Sequence, residues 1–495
     1  MLKRNPTKLY RTEQIRALEE IATSKYQITP AVLMERAAAA ALQALRSNWP
    51  LANKIAIFTG KGNNGGDGYV LARLAKSAGL DVTIFYLTEP KELTGLAKEA
   101  ALACQNIDVT IQPFQENKLD DFDIFVDAIL GIGLIGNLNP IYHQAIEMIN
   151  KKPTPILAID IPSGLDANTG AVHGTSIKAT TTITFLGLKQ GLLTGMAKEF
   201  CGTILCDDLD LPEEAYKSQN ASAEILELPL LLKHLPKRAR IAHKGAFGHV
   251  LVIGGDYGMA GAVQLSAEAA AHSGAGLVSV ATRPEHVPVM GITRPEIMYH
   301  AVASYRDLLP LLPKATVIAI GPGLGFSTWG RELLACVLNN TVNTPLIIDA
   351  DALNILATHQ YKRTNWILTP HPGEAGRLLR TTSAEIQNDR FRAVHSLQKR
   401  YSGVVVLKGS GTLIADGVNP PKICSAGNPG MASGGMGDIL SGIIAALLAQ
   451  GLSLSQAASL AVILHATAGD LAATELGERG LLASYLLPWV RKLIN

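Results

Sequence analysis

A short strand that runs into a glycine-rich segment decides the fold of the first half of this chain. Residues 54–68 read Lys54-Ile55-Ala56-Ile57-Phe58-Thr59-Gly60-Lys61-Gly62-Asn63-Asn64-Gly65-Gly66-Asp67-Gly68. The apolar residues 55–58 predict a buried strand, and the apolar pattern of residues 69–75 predicts a helix after the glycines. A strand, a glycine-rich loop and a helix in this order are typical of the nucleotide-binding unit of a doubly wound parallel sheet.

Two further predicted strands of the first half end in an aspartate and then reach glycine. Their ends read Val126-Asp127-Ala128-Ile129-Leu130-Gly131-Ile132-Gly133 and Ile159-Asp160-Ile161-Pro162-Ser163-Gly164. Open α/β sheets bind ligands at the carboxyl ends of their strands, so we expect the three loops to form one site. The Asn, Asp and Ser oxygens gathered there could also hold a hard cation. A glycine loop by itself can be a plain turn, which is the alternative interpretation.

The second half repeats the alternation of buried strand, polar loop and helix. Apolar strands are predicted over residues 250–253, 315–320, 345–349, 366–369 and 404–407. The polar loops after them read Gly254-Gly255-Asp256, Gly321-Pro322-Gly323-Leu324-Gly325, Ala350-Asp351, Pro370-His371-Pro372-Gly373-Glu374 and Lys408-Gly409-Ser410-Gly411-Thr412. Continuous apolar strands alternating with helices predict a second parallel sheet that is covered on both faces.

A second glycine-rich loop leads into an apolar helix near the C-terminus. It reads Gly427-Asn428-Pro429-Gly430-Met431-Ala432-Ser433-Gly434-Gly435-Met436-Gly437-Asp438. Glycines cost backbone entropy, and their usual purpose at a helix N-terminus is to let backbone N–H groups hold an anion. A carboxylate such as Asp438 would repel a phosphate, so it is better explained as a base that faces a reacting hydroxyl. The loop therefore predicts chemistry beside a phosphorylated compound.

The composition excludes several classes of protein. With 495 residues the chain is too long for one ordinary core, and two or three domains are expected. A net charge of +2, with Lys and Arg spread along the chain, gives no reason to expect a nucleic acid or a membrane as partner. The longest apolar run, residues 439–449, is far shorter than the ~20 residues that span a bilayer. Without a CxxC pair or an apolar signal segment, we expect reduced cysteines in a cytoplasmic protein.

The polar stretch over residues 212–222 is interpreted as a linker, followed by a connector helix over 228–236. These features place the domain boundary near Ser222. The acidic cluster Asp207-Asp208-Asp210 resembles a metal site, but a solvated sheet edge is the favoured interpretation. His371 and Glu374 have the spacing of zinc ligands on a helix; because prolines flank the histidine, one helix cannot carry both, and we reject a zinc site. His371 either contacts a substrate or is structural.

Together these motifs resemble the bifunctional NAD(P)H-hydrate repair enzymes, in which an NAD(P)H-hydrate epimerase is fused to an ADP-dependent NAD(P)H-hydrate dehydratase. The resemblance extends from about Thr12 to Leu482, and no motif departs from the family pattern. It implies an α/β protein of two three-layer αβα domains. Residues 1–222 would be a Rossmann-like epimerase domain, and residues 223–495 a ribokinase-like dehydratase domain.

The resemblance also implies roles for matched residues. Potassium would be bound by Asn64, Asp127 and Ser163. The hydrated nucleotide would be bound in the first half by Asn63, Asn64, Gly65, Gly66, Asp67, Gly131, Ile132, Gly133, Leu134, Ile135, Gly136, Asn137 and Asp160. In the second half the hydrate would face Ala262, Gly323, His371 and Asp438. ADP would be bound by Lys408, Gly409, Ser410, Gly411, Thr412 and Gly437.

The implied reaction is the repair of hydrated NADH or NADPH (NADHX or NADPHX), which carries a hydroxyl at C6 of the reduced ring. ADP would phosphorylate this hydroxyl, with Asp438 as the base, and elimination of the phosphate would restore the dihydronicotinamide. Magnesium would bridge the ADP phosphates. The dehydratase accepts one epimer, so the first half would invert C6 of the other, with Asp160 handling the proton as our hypothesis. We also expect a homo-oligomer.

Two alternatives remain open from the sequence. The second half could be a ribokinase-type kinase of a small molecule, because a glycine-rich loop that ends in aspartate also serves such kinases. The first half could be a nucleotide-binding module without catalysis. The preference for ADP over ATP rests on the resemblance alone, since nothing in the loop excludes a third phosphate.

Overall fold

The computed structural model describes residues 7–134, 136–359 and 361–495. The chain folds into two compact units, unit 1 (Met1–Glu224) and unit 2 (Ile225–Asn495). Ile135, one of the residues assigned to hydrate binding, lies outside the described residues.

Unit 1 is built on a seven-stranded parallel sheet with strand order β4-β3-β2-β5-β6-β7-β9. The strands of the unit are β1 (Lys8–Tyr10), β2 (Lys54–Thr59), β3 (Asp81–Tyr86), β4 (Thr110–Pro113), β5 (Ile124–Ala128), β6 (Ile156–Ile159), β7 (Thr181–Phe185), β8 (Leu188–Lys189), β9 (Thr203–Asp207) and β10 (Ala223–Ile225). From β2 the chain builds outward through β3 and β4, then returns to β5 on the other side of β2. The strand order therefore reverses between β2 and β5, where doubly wound sheets bind ligands.

Helices cover both faces of this sheet. They are α1 (Thr12–Tyr26), α2 (Pro30–Asn48), α3 (Asn63–Ser77), α4 (Gly95–Gln105), α5 (Pro140–Asn150), α6 (Ala197–Phe200) and α7 (Glu213–Tyr216). Alternate residues of β2 point to opposite faces: Ile55 and Ile57 join the core under α1 to α4, whereas Ala56 and Phe58 join the core that contains α5. The predicted three-layer α/β fold of this half is confirmed.

The glycine-rich segment after β2 differs from the prediction. We expected a loop that ends at Gly68, but α3 begins at Asn63 and includes Gly65, Gly66 and Gly68. None of the glycines from Gly60 to Gly68 has a positive φ. A Cβ on Gly65 would lie 2.2 Å from the Gly60 carbonyl oxygen, and one on Gly68 would lie 2.6 Å from Ala128 Cβ. These glycines let α3 approach the sheet closely, which is why the segment can be helical.

The predicted linker over residues 212–222 is also more ordered than expected. It contains the short helix α7, and Ala215 on that helix is buried. The backbone N–H and the hydroxyl of Ser222 both donate to the Leu9 carbonyl, at 2.8 and 3.0 Å. Strand β10 then pairs antiparallel with β1, and β1 pairs parallel with β8. The polar composition of the segment predicted a linker because it carries no sign of this backbone pairing with residues near the start of the chain.

Unit 2 is built on a second sheet with strand order β13-β12-β11-β14-β15-β16-β17-β18-β19. Its strands are β11 (His249–Ile253), β12 (Leu277–Thr282), β13 (Met298–Ala301), β14 (Val317–Ile320), β15 (Leu346–Ile348), β16 (Trp366–Leu368), β17 (Val404–Leu407), β18 (Thr412–Ala415) and β19 (Lys422–Cys424). Strands β11 to β17 are parallel, and the last two strands pair antiparallel. The order reverses between β11 and β14, which marks the expected ligand edge of this sheet.

Unit 2 contains helices on both faces of its sheet, as predicted. They are α8 (Leu228–Leu232), α9 (Ala260–His272), α10 (Val287–Thr293), α11 (Tyr305–Leu308), α12 (Thr328–Asn340), α13 (Ala350–Leu356), α14 (Pro372–Leu379), α15 (Ser383–Asn388), α16 (Arg390–Tyr401), α17 (Met436–Ala449), α18 (Leu454–Leu476) and α19 (Leu486–Ile494). Helices α9, α17, α18 and α19 share one large core with the sheet. By length and composition α18 could cross a membrane, but 72% of its apolar window is buried inside the unit, as in a core helix.

Candidate active sites

A cavity of about 970 Å³ in unit 1 lies where the strand order reverses. The carboxyl ends of β2, β5 and β6 reach its wall, as the sequence analysis predicts. The predicted site residues that line it are Asn63, Asn64, Asp67, Gly131, Ile132, Gly133 and Asp160. Glu19 and Lys189, which the sequence analysis did not select, also line it.

Asp127 and Ser163 connect two of the loops at this edge. Asp127 is fully buried at the end of β5, where its carboxylate accepts hydrogen bonds from the Ser163 hydroxyl at 2.5 Å and the Ser163 N–H at 2.7 Å. The Ser163 hydroxyl also accepts a hydrogen bond from the Leu130 N–H at 2.8 Å. Burial raises the pKa of Asp127 to about 6, although the bonds from Ser163 act in the opposite direction. The two residues fix the loops after β5 and β6 to each other.

Asn64 has a buried amide that the protein does not satisfy. Its side chain lies in the first turn of α3, and neither the amide oxygen nor the amide nitrogen has a hydrogen-bond partner among the described residues. A buried amide without partners costs roughly 1–3 kcal/mol, so such a group in a native site calls for a ligand. A Cβ on Gly131 would lie 3.3 Å from the Asn64 side chain, so the loop after β5 passes directly beside this amide.

Asp160 follows β6 in the left-handed region, with φ of 65°. Its N–H donates to the Ile183 carbonyl at 2.7 Å, which holds the backbone in this conformation. The carboxylate oxygen Oδ1 accepts hydrogen bonds from the Lys189 ammonium at 2.5 Å and from the Thr184 hydroxyl at 3.2 Å. Lys189 is buried and also donates to the Thr184 hydroxyl and the Phe185 carbonyl, at 2.8 and 2.9 Å.

Asp67 lies on the second turn of α3 and is partly exposed to the cavity. Burial and the neighbouring carboxylates of Asp160 and Glu19 raise the pKa of Asp67 well above its ordinary range, although the Lys189 ammonium lowers it. Burial and the charge of Asp160 also raise the pKa of Glu19. The cavity wall therefore carries four carboxyl groups, those of Glu19, Glu20, Asp67 and Asp160, with the buried ammonium group of Lys189 among them.

Several residues assigned to the hydrate lie away from this cavity. Gly65 and Gly66 are buried, and a Cβ on Gly66 would lie 2.6 Å from Met34 Cε, so their packing is against protein. Gly136 and Asn137 are exposed, and together with Leu134 they are not among the residues that line the cavity.

In unit 2, the C-terminal glycine loop turns into α17 as predicted. Gly435 precedes the helix with φ of 89°, a left-handed conformation that favours glycine, and Asp438 lies in the first helical turn. Burial, followed by the carboxylates of Asp349, Asp351 and Glu374, raises the pKa of Asp438 to about 7, although Lys408 lowers it. A carboxylate with this pKa can act as a base near neutral pH.

Lys408 and Asp349 form the central ion pair of this site. The Lys408 ammonium lies 2.8 Å from Asp349 Oδ1 and 3.8 Å from Glu374 Oε2. The other Asp349 oxygen accepts a hydrogen bond from the Ser441 hydroxyl at 2.7 Å, and Ser441 lies one turn after Asp438 on α17. Asp349 follows β15, so this bond fixes the start of α17 to the carboxyl edge of the sheet. Burial would lower the pKa of Lys408, but Asp349 and Glu374 raise it above its ordinary value.

His371 and Glu374 have a structural role that the sequence analysis left open. His371 precedes α14; its Nδ1 accepts hydrogen bonds from the N–H groups of Gly373 and Glu374, at 3.0 and 3.4 Å. The Glu374 carboxylate accepts a hydrogen bond from the His371 N–H at 2.8 Å, which completes a reciprocal helix cap. Burial lowers the pKa of His371, whereas burial raises that of Glu374 to about 7. His371 Nε2 lies 3.4 Å from Glu374 Oε1, and the His371 side chain is half-exposed.

A buried arginine supports the predicted ADP loop. The guanidinium of Arg390 is fully buried and donates to the carbonyl oxygens of Leu407, Lys408 and Gly411, at 3.1, 3.2 and 3.4 Å. The Thr412 hydroxyl donates to the Gly409 carbonyl at 2.9 Å. These bonds use the carbonyl groups of the loop, while Gly409, Ser410 and Thr412 remain at least partly accessible.

Three further predicted residues, Gly437, Gly323 and Ala262, lie on α17, in the loop after β14 and on α9. A Cβ on Gly437 would lie 3.3 Å from the Lys408 ammonium, so α17 and the ADP loop are in close contact there. Gly323 has φ of 57°, and a Cβ there would lie 3.3 Å from Ala262 Cβ. Gly323 and Ala262 are therefore neighbours at the start of α9, beside the loop after β14.

Residues of these sites that the sequence analysis did not select include Glu19, Lys189, Asp349 and Glu374. Lys189 is a single cation in a stretch of small and apolar residues, Thr181 to Leu193, which is the one signal that could have identified it. Asp349 and Glu374 stand at the ends of predicted strands or loops, but Lys408, which lies near both, is distant in sequence. Among the described residues no group of three or more His, Cys, Asp or Glu could hold a metal ion.

The whole chain is similar to curated proteins. Residues 30–191 match the family model described as YjeF-related protein N-terminus, and residues 250–491 match the one described as NAD(P)H-hydrate dehydratase. The bifunctional NAD(P)H-hydrate repair enzyme Nnr of Coxiella burnetii is 52% identical over 489 residues, which are 99% of this chain and 100% of that protein. The enzyme of the same name from Escherichia coli is 43% identical over 502 residues, covering 100% and 96%.

Unit 2 also resembles a solved structure. A ribokinase-like superfamily protein from Enterococcus faecalis is 30% identical, with a TM-score of 0.51, and the similarity covers 55% of this chain and 95% of that one. The predicted ribokinase-like fold of the second half is confirmed.

Proposed function

This chain belongs to the family of bifunctional NAD(P)H-hydrate repair enzymes, and on that premise we propose which residues carry its two reactions. The enzyme interconverts the two epimers of hydrated NADH or NADPH and dehydrates one of them to the reduced dinucleotide. Unit 2 contains the dehydratase match, and unit 1 contains the epimerase match. Because curated repair enzymes match over the full length, this function is favoured over a small-molecule kinase fused to a binding module.

In unit 2, Asp438 removes the proton from the C6 hydroxyl of the hydrate. The resulting oxygen attacks the terminal phosphorus of ADP and AMP departs, which converts a poor leaving group into a good one. Elimination of that phosphate from C6, together with a proton from C5, then restores the C5–C6 double bond of the dihydronicotinamide. Two features support this role: Asp438 lies in the first turn of α17 next to the glycine loop, and its pKa is raised to about 7. The N–H groups at the start of α17 face the transferring phosphoryl group.

Lys408 holds the nucleotide phosphates. Its ammonium group makes one close bond, to Asp349, and its side chain is 19% exposed, so N–H donors remain for an incoming phosphate. The accessible loop from Gly409 to Thr412, with Gly437 opposite it, gives the nucleotide a place beside this cation. ADP is the proposed phosphoryl donor. His371, Ala262 and Gly323 are proposed to face the hydrate.

Magnesium is proposed to be bound chiefly through the phosphates of the nucleotide. The described residues lack a cluster of carboxylates and imidazoles for a metal cage, which fits the way Mg²⁺ is usually held by one or two protein ligands and a substrate. When bound, it supplies positive charge that offsets the charge of the phosphates.

In unit 1, potassium is proposed to bind beside Asn64, Asp127 and Ser163. The unsatisfied Asn64 amide and the buried Asp127 carboxylate supply oxygens of the kind that a hard cation prefers. The ion, when bound, supplies a positive charge that orients the substrate phosphate. Asp160 exchanges the proton at the C6 hydroxyl, with Asn63, Asp67 and the residues from Gly131 to Gly133 around the ligand.

The proposed separation of the two reactions rests on one observation: each unit has its own sheet edge with a lysine–aspartate pair. The test assays both reactions in each variant. Asp438→Asn should remove dehydration and leave inversion intact, whereas Asp127→Ala should do the reverse. Asp160→Ala should abolish inversion; if inversion persisted, Asp160 would not be the proton-exchanging group. One substitution that abolished both reactions would mean that the sites are not independent.

We also propose that the enzyme is cytoplasmic and forms a homo-oligomer. All five cysteines are thiols, which fits a reducing compartment. Helix α10 exposes Val289 and Ile292, at 65% and 82%, and an exposed apolar patch supports association between copies. The molar mass in solution, from light scattering, would test the oligomer.

A further inference from the structure

The Asp67 carboxyl group in the unit 1 cavity has no partner in the structure. It makes neither a hydrogen bond nor an ion pair with any described residue, although it lines the cavity. By contrast, the Asp127 carboxylate on the nearby strand β5 accepts three hydrogen bonds. A carboxyl that is half-enclosed and unpaired is costly unless it is protonated or meets a ligand.

Asp160 lines the same cavity but, unlike Asp67, its carboxylate is bonded to neighbouring side chains. The Lys189 ammonium has three N–H donors, and all three are used: on Asp160, on the Thr184 hydroxyl and on the Phe185 carbonyl. Lys189 therefore has no donor left for a substrate, and its charge acts through Asp160. Oxygen Oδ1 of Asp160 takes two of these bonds, whereas Oδ2 accepts none from the described residues.

Other titratable groups also lie near the Asp67 and Asp160 carboxyl groups. Glu19 reaches the cavity from α1; Arg16 on the same helix only partly opposes the rise in the pKa of Glu19. Cys206 on β9 lies near Lys189 and Asp160, but burial raises its pKa to about 12, so it stays a neutral thiol. Lys61 lies on the cavity wall, in the loop before α3.

We propose that Asp67 is the catalytic acid of the inversion at C6, that Asp160 is the base, and that Lys189 is the positioning residue that holds the Asp160 carboxylate. This inference rests on the proposed function of unit 1. Two like carboxyl groups in one cavity divide into a protonated and an ionised form when their surroundings differ, and here only Asp160 has a cation. The raised pKa of Asp67 agrees with this division.

The step that this pair performs is the opening and closing of the hydrated ring. The Asp160 carboxylate takes the proton of the C6 hydroxyl, and the O–H electron pair forms a C6=O double bond. The C6–N1 bond breaks, its electron pair goes to N1, and Asp67 gives its proton to N1. Rotation of the freed aldehyde presents its other face. Closure reverses each transfer, so both carboxyl groups return to their starting forms and no atom is gained or lost.

The charges in the cavity favour this neutral intermediate over a cationic one. Loss of hydroxide from C6 would leave an iminium cation, which needs an uncompensated anion beside it. The charge of Asp160 is already compensated by Lys189 at 2.5 Å, and Asp67 is neutral in this scheme. The open-chain aldehyde carries no new charge and requires no counter-ion.

The test follows the conversion of one purified epimer of NADH hydrate into the other by chromatography. It uses the full chain with potassium and without nucleotide, so that dehydration does not consume the product. Asp67→Asn should lower kcat by at least ~10²-fold with little change in KM, because a positioned general acid contributes about that much. It should also remove the loss of rate at high pH, which reports deprotonation of the acid.

Lys189 is tested by the split between kcat and KM. Lys189→Met should lower kcat of inversion with little change in KM, because the Asp160 carboxylate loses the ammonium group bonded to its Oδ1. Lys189→Arg should restore much of the lost rate, which a merely structural defect would not predict. Glu19→Gln, at another carboxyl of the cavity wall, is the matched control and should leave the rate and its fall at high pH in place.

The results separate this inference from the function on which it rests. If Asp67→Asn raised KM while kcat and the pH profile stayed unchanged, Asp67 would bind a sugar hydroxyl and would not be the acid. Loss of the high-pH limb in Glu19→Gln would overturn the assignment in favour of Glu19. A wild-type chain that inverted neither epimer would overturn the proposed function of unit 1 itself.

Discussion

Each unit places a lysine–aspartate ion pair at the carboxyl edge of its parallel sheet, but opposite members of the two pairs are open to the site. In unit 1 the Lys189 side chain is 1% exposed and that of Asp160 is 13% exposed. In unit 2 the Lys408 side chain is 19% exposed and that of Asp349 is 2% exposed. The same two side-chain types therefore present a carboxylate in one unit and an ammonium group in the other.

This difference matches the chemistry of the two reactions. Inversion at C6 needs proton transfer, and a carboxylate fixed by an enclosed cation is suited to it. Dehydration needs a phosphoryl group to be held, and an accessible ammonium group with unused donors is suited to that. We call the more buried residue of each pair (Lys189 or Asp349) its closed member and the more exposed residue (Asp160 or Lys408) its open member. In each unit the closed member fixes the position of the open member and compensates its charge. Removal of the closed member should therefore lower both stability and catalysis, whereas removal of the open member should chiefly lower catalysis.

The largest effect is expected from Asp349→Asn, which removes the closed member of the unit 2 pair. Lys408 would keep only Glu374, at 3.8 Å, and a buried charge without its partner costs about 3–5 kcal/mol. Dehydration should fall by about 10²-fold because α17 and Asp438 lose their anchor. Urea unfolding and the dehydration rate measure the two effects.

The matched variant in unit 1 sharpens the comparison. Asp160→Asn changes an open member, and Lys189 keeps the Thr184 hydroxyl and the Phe185 carbonyl as acceptors. Its loss of stability should be smaller than that of Asp349→Asn, while its loss of inversion should be large. Equal destabilisation by the two substitutions would contradict the distinction between closed and open members.

The pH dependence of dehydration gives the next largest effect. Asp438 must be ionised to act as a base, and its pKa is raised to about 7. The dehydration rate should therefore be constant above this pH and fall about tenfold per pH unit below it. Glu374 has a pKa of about 7 as well, so Glu374→Gln is the control. If that variant lost the acid limb, Glu374 and not Asp438 would be the titrating group.

These sites show what the sequence could predict and what it could not. The strand ends at Asp127 and Asp160, and the helix start at Asp438, follow from local patterns of apolar runs and glycines, and the structure has them at sheet edges. Lys189 and Asp349 belong to the sites because of their bonded partners Asp160 and Lys408, which lie 29 and 59 residues away in the sequence. No local pattern encodes which cation meets which carboxylate across a sheet.

Two local predictions failed because packing changed the role of the residue types. The glycines from Gly62 to Gly68 indicated a loop, yet they are spaced so that α3 can lie against β2 and β5. The polar residues 212–222 indicated a linker, yet Ser222 is bonded to Leu9 near the start of the chain. Composition indicates only what each residue type prefers, whereas the conformation of these two segments depends on the parts of the chain that pack against them.

A smaller effect is expected from Ser441→Ala, which breaks the hydrogen bond between α17 and Asp349. The bond is 2.7 Å long and buried, and it joins a hydroxyl to a carboxylate, so its loss should cost about 1.5–3 kcal/mol of stability. Dehydration should fall less than in Asp349→Asn because Lys408 keeps its pair. Chemical unfolding measures the loss, and inversion in the same protein should be unchanged.

The smallest effect is expected from Gly437→Ala. The added Cβ would lie 3.3 Å from the Lys408 ammonium, which can move a few tenths of an ångström at the end of a flexible side chain. We expect the KM for ADP to rise a few-fold, by about 1 kcal/mol of binding energy or less, with kcat nearly unchanged. A steady-state titration with ADP measures it. An unchanged KM would place the nucleotide away from this contact.

The most direct test of the two-pair comparison is the recovery of reduced-nicotinamide absorbance from mixed epimers, with ADP, magnesium and potassium. The wild type should restore the whole mixture rapidly. Lys189→Met should restore only one epimer in the fast phase, with an unchanged dependence on ADP, whereas Lys408→Met should require more ADP and still restore both. If Lys189→Met changed the ADP dependence, or if Lys408→Met spared one epimer alone, the assignment of one pair to each reaction would be wrong.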